Sequence, residues 1–114
     1  MNYKDKYNEW VRRLKNDLNK RGNGVDYIIP DYEYMVSAGW GHNPTYVKVR
    51  YLVPGAGGTL DINVDMFERE DWLNILQHVE TGVMASLRIL LKREGGSKEE
   101  RGAVRKILEG LEDA

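Results

Sequence analysis

The sequence predicts an α+β fold in the order α-βββ-αα: an N-terminal helix, a three-stranded antiparallel meander and two C-terminal helices, with a single layer of helices on one sheet face. Three observations carry this. Apolar residues recur at helical spacing over the first twenty positions, alternate with a period of two between residues 25 and 67, and return to helical spacing from residue 68 onward.

In the first segment Tyr3, Tyr7, Trp10, Val11, Leu14 and Leu18 form one stripe of an amphipathic helix. Arg21-Gly22-Asn23-Gly24 ends it, since glycine takes the left-handed cap conformation without strain. Glu9, Arg13, Asp17 and Arg21 are spaced as an ion-pair ladder along the outer face. Residues 25–38 are rich in Tyr, Ile and Val and read as a strand that Pro30 bends or confines to an edge. Residues 45–53 set Val47, Val49, Tyr51 and Val53 on one face, and residues 59–67 do the same with Leu60, Ile62, Val64 and Met66. Gly39 to Pro44 and Pro54 to Gly58 connect the strands and suit hairpins.

On the outward faces Lys48 and Arg50 of the central strand stand between Asp31 and Glu33 on one side and Asp61, Asn63 and Asp65 on the other. Opposite charges across a solvated face favour that order. A long helix follows from Glu68 to Arg93, with Trp72, Ile75, Leu76, Val79, Val83, Leu87, Leu90 and Leu91 inside and Asp65 and Glu68 at capping-box spacing. Gly82 within it marks a kink or a close approach to the sheet. Glu94-Gly95-Gly96 ends the helix, and Ser97 to Glu100 is a second capping box for a last helix carrying Val104, Ile107, Leu108 and Leu111.

The length of 114 residues suits a single domain spanning 1–114, and 41% hydrophobic with 31% charged residues is ordinary for one globular core. The absence of cysteine excludes disulfides, thiolate catalysis and cysteine-ligated metal. The charged opening from Met1 lacks the apolar stretch of a secretory signal, and a cytoplasmic setting is expected. Net charge is −1, but residues 1–24 carry +4, residues 25–82 carry −6 and residues 83–114 carry +1. That balance disfavours a non-specific pull toward nucleic acid.

The element order occurs in unrelated small proteins. Double-stranded-RNA-binding domains share its first five elements, and some phage-encoded inhibitors of CRISPR effectors share all six. Element order alone does not carry function. The long helix opens on Glu68-Arg69-Glu70-Asp71, the wrong sign for phosphate contact.

No reaction centre can be assembled from the residues. The three serines and two histidines fall in no triad or elbow spacing. Asp61-Ile62-Asn63-Val64-Asp65 opens like a calcium loop, then fails where the turn glycine is Met66 and the closing acid is Trp72. A helix before three strands, with Pro30-Asp31, suggests a metal-dependent nuclease, but the acidic-x-Lys element is missing. Gly55 to Gly58 precedes a strand and lacks the Lys-Ser/Thr of a phosphate loop. Nothing places His42 near His78, so no metal, cofactor or catalytic residue is assigned.

What remains is a surface. Trp40 sits between two glycines in Gly39 to Pro44, either anchoring a partner or folding back to plug the core. Trp40, His42, Asn43, Tyr46, Asp61 and Asp65 are the expected partner-binding residues. The expectation is a non-enzymatic protein-binding module of inhibitor, immunity or adaptor type, of a size that suits a bacterial or phage accessory protein. A small-ligand or nucleotide binder is the alternative, and a weak RNA or DNA binder the second. A homodimer is open, because three strands leave two edges.

Overall fold

The computed structural model describes residues 2–93 and 95–113; Met1, Glu94 of the expected helix terminator and Ala114 lie outside them. An N-terminal helix, a three-stranded antiparallel sheet and C-terminal helices follow one another, as the sequence predicts. The elements are α1 (Tyr3–Lys20), β1 (Asp26–Ile28), α2 (Tyr32–Ser37), β2 (Tyr46–Val53), β3 (Ala56–Asn63), α3 (Asp65–Arg69), α4 (Trp72–Lys92) and α5 (Lys98–Glu112). The sheet order is β1-β2-β3, with both pairs antiparallel.

One face of the sheet is apolar and covered. Tyr27, Val47, Val49, Tyr51, Val53 and Ile62 are buried there against Tyr7, Val11, Leu14 and Leu18 of α1 and Ile75, Val79, Val83 and Leu87 of α4, in one core cluster. α1 packs on β1 and α4 on β3, while α5 packs along α4. Gly82 is a close approach: a Cβ there would lie 2.9 Å from a methyl of Leu60. No described helix is long and apolar enough to cross a membrane.

The strand expected over residues 25–38 is corrected. It ends at Ile28, and Asp31 then caps α2 by accepting the Tyr34 N–H at 2.9 Å. The register pairs Ile28 with Arg50, so the next ladder bond would fall between residue 30 and Lys48. Residue 30 is proline, which has no N–H to donate. The side of β2 that β1 vacates is met by hydroxyls instead: Tyr7 donates to the Tyr46 carbonyl at 2.7 Å and Tyr3 to that of Pro44. Burial pushes the Tyr7 hydroxyl well above its ordinary range.

The last strand and the long helix are also redrawn. The β2–β3 turn is Pro54-Gly55 alone, with Gly55 at φ +80°, as a glycine at the third turn position requires. β3 ends at Asn63, whose Oδ1 accepts the Asp65 N–H at 2.9 Å. Asp65 therefore opens the short α3 instead of continuing the strand, and the Asp65–Glu68 capping box does not form. Glu70 and Asp71 are extended, splitting the expected helix into α3 and α4. The Ser97 cap does form, with the Glu100 N–H donating to its Oγ at 3.0 Å.

On α1 the expected ion-pair ladder does not form: Glu9 pairs with Arg12, and the other three members contact other elements. Arg13 lies 4.1 Å over the Trp72 ring, and Asp17 accepts the Trp72 indole N–H at 2.7 Å. Arg21 grips buried Glu80 through Nε and Nη2, each at 2.9 Å, and Asn23 adds a third donor at 3.3 Å.

Candidate binding surface

The uncovered face of the sheet is formed by alternation. Tyr46, Lys48, Arg50 and Leu52 of β2 point outward, and the register sets Ile28 beside Arg50, Asp61 beside Lys48, Thr59 beside Arg50 and Asn63 beside Tyr46. Helix α2 and the loop after it reach over this face at its Tyr46–Arg50 end. Arg50 lies 5.9 Å from the Tyr34 ring, and the Lys48 ammonium lies 5.0 Å from the Trp40 ring.

Trp40 is held by the way α2 ends. The N–H of Gly39 donates to Val36 and that of Trp40 to Met35, both bonds of a Schellman cap, with Gly39 at φ +93°. That cap turns the chain so that Met35 is fully buried and Trp40 is not. The core plug at this end is therefore Met35 with Pro44, and Trp40 stands 41% exposed over Lys48.

Among the described residues seven large apolar side chains are exposed, and five of them, Ile28, Tyr34, Trp40, Tyr46 and Leu52, lie on this one face. Monomeric surfaces scatter such residues singly, whereas a cluster marks a contact. Beside the patch a groove of about 650 Å³ runs between α1 and β1–α2, lined in part by Arg12, Lys15, Ile28, Tyr34 and Arg50.

Of the six residues singled out in the sequence, Trp40, Tyr46 and Asp61 come together on this face. His42 and Asn43 are exposed on the adjoining loop, where the His42 carbonyl accepts the Tyr32 hydroxyl. Asp65 is drawn away onto α3, 3.8 Å from Arg69. Asp31 and Glu33, expected on the same sheet face, instead cap α2 and pair with Lys4 at 2.6 Å. Ile28, Tyr34 and Leu52 stand outside those six. For Leu52 the signal is present, since it is an outward position in a period-two count from Val47 yet carries a large apolar side chain; for Ile28 it is not, because a strand with Asp31 and Glu33 outward would turn Ile28 inward. Among the described residues no three His, Asp or Glu groups gather as a metal site.

No protein-family model, curated protein or solved structure matches this chain.

Proposed function

We propose that this chain is a small non-catalytic protein-binding module, of the inhibitor, immunity or adaptor kind, that acts in the cytoplasm and docks a partner on the open face of its sheet. The observation that supports it is the gathering of Ile28, Tyr34, Trp40, Tyr46 and Leu52 on one solvated face. Aliphatic Ile28 and Leu52 favour a protein partner over nucleic acid, because bases stack on aromatic rings and gain little from branched aliphatics. Trp40 and Tyr46 have the amphipathic character of interface anchors, with Lys48, Arg50 and Asp61 supplying polar contacts among them.

Trp40 is 41% exposed, and truncating a tryptophan that anchors an interface typically costs about 2 kcal/mol of binding. The test is affinity capture from source-cell lysate with wild-type protein and with Trp40→Ala, followed by titration of each against a fifteen-residue oligothymidylate. A protein retained by wild type and lost by the folded variant supports the proposal. Oligothymidylate binding that depends on Trp40, with no protein captured, would replace it with a single-strand nucleic-acid binder.

A further inference from the structure

β3 forms one outer edge of the sheet. The Val64 N–H donates to the Thr45 carbonyl at 2.9 Å, in step with the β2–β3 register. The bonded pairs are therefore Val47 with Ile62, Val49 with Leu60, Tyr51 with Gly58 and Val53 with Ala56. The residues between them, Gly57, Thr59, Asp61 and Asn63, direct their backbone N–H and C=O groups away from β2. β3 is the last strand of the sheet, and among the described residues no hydrogen bond reaches those groups.

Helix α4 stands over this edge. Gly82 faces Leu60, and helical spacing puts His78, Ala85 and Ile89, all exposed, on the same flank. Ile89 is 55% exposed, an apolar side chain beside the place a fourth strand would occupy. A cavity of about 250 Å³ lies there between Ala56 and Gly57 of β3 and Ser86, Ile89, Leu90 and Arg93 of α4. It has room for an apolar side chain directed inward from an added strand.

A second copy of this chain is a poor occupant. Pairing β3 with its own counterpart would set the two α4 helices about one strand spacing apart, roughly 4.8 Å, where packed helices need about 8–10 Å. A lone extended segment brings no helix with it. Its outward residues would lie beside Thr59, Asp61 and Asn63, where Asp61 favours a basic neighbour.

We propose that the β3 edge accepts an extended segment of a partner protein as a fourth strand, alternating apolar residues toward Ile89 with polar or basic residues beside Asp61. This rests on the protein-binding reading above and specifies how a partner would be held.

The experiment selects random linear twelve-residue peptides displayed on phage against the wild-type protein. Synthetic copies of the winners are then titrated against wild type, Thr59→Pro, Thr59→Ala and Trp40→Ala. The Thr59 N–H faces the edge and not β2, so proline there removes one docking donor while leaving the β2 ladder bonds in place. The expected result is peptides of alternating pattern whose affinity falls at least tenfold with Thr59→Pro and stays within threefold with Thr59→Ala. Amide exchange on the wild type gives the same reading should the proline variant fail to fold: bound peptide should protect Thr59, Asp61 and Asn63. No selected binder, peptides indifferent to a folded Thr59→Pro, or unprotected edge amides would overturn the proposal. Peptides weakened by Trp40→Ala but not by Thr59→Pro would refute the edge and leave the open-face reading standing; indifference to both would refute the edge and leave the open face to the capture experiment.

Discussion

At the scale of single residues, Trp40 and Arg21 show what one side chain can decide. Trp40 was visible in the sequence as a tryptophan between glycines, but plug and anchor were equally consistent with it. The choice is made by the Schellman cap on α2, which buries Met35 and leaves the indole outside. Trp40→Ala should therefore weaken partner binding about thirtyfold, equivalent to about 2 kcal/mol, while the melting temperature stays within a few degrees. Titration and thermal melting on the same sample check both halves. Arg21 is the opposite case. Its spacing along α1 suggests a surface pair, yet it turns to buried Glu80 on α4. Arg21→Ala leaves that carboxylate without its charge partner and should cost about 3 kcal/mol in a urea titration. A loss below 0.5 kcal/mol, as for an exposed pair, would contradict this.

Between elements, the fold is legible where pattern and chemistry agree and obscured where one proline overrides a pattern. α1, β2, α4 and α5 follow from apolar spacing alone, and the Lys48–Asp61 register follows from strand alternation and charge. Residues 31–37 alternate like a strand, with Tyr32, Tyr34 and Val36 in step, yet form a helix. The governing facts are the missing N–H of Pro30 and the Asp31 cap, both local and both outweighed in a period-two count. Asp31→Ala should lower stability by about 1 kcal/mol, the ordinary worth of such a cap. Because α2 carries Tyr34 and positions Trp40, the same change should also weaken binding, separating it from a remote surface substitution. β3 offers a second test. A Cβ on Gly58 would fall 2.2 Å from the Tyr51 hydroxyl oxygen and 2.5 Å from its ring carbon. Tyr51 is buried and its ring is rigid, so Gly58→Ala should cost about 1–3 kcal/mol, measured by denaturant titration.

Across the whole molecule, tyrosines and tryptophans tie the helices together on one side, while Tyr34, Trp40 and Tyr46 stand exposed on the other. Tyr32 meets Tyr3 and Tyr7 edge to face, Tyr3 meets Trp10 likewise, Trp10 stacks on Phe67 at 5.0 Å, and Phe67 leads on to Trp72, so α1 to α4 share one aromatic chain. That chain was only half legible, because the stripe of α1 shows that Tyr3, Tyr7 and Trp10 turn inward but not what meets them. Buried tyrosines also set a pH limit. Burial, with a smaller push from Glu80, raises Tyr27 to about 12, and Tyr7 rises as well, against an unfolded value near 10. Below pH 10 both states keep these hydroxyls protonated and stability is intact. Above it the unfolded chain ionises first, so stability should fall from pH 10 to about pH 12, and Tyr27→Phe should flatten that fall. Denaturant midpoints across this range measure it.

Calorimetric titration of the captured partner against wild type and the Trp40→Ala/Tyr46→Ala double variant decides whether the open sheet face carries the binding. A folded double variant with affinity reduced a hundredfold or more is the predicted result. Affinity equal to that of the wild type would contradict it and move the site elsewhere on the molecule.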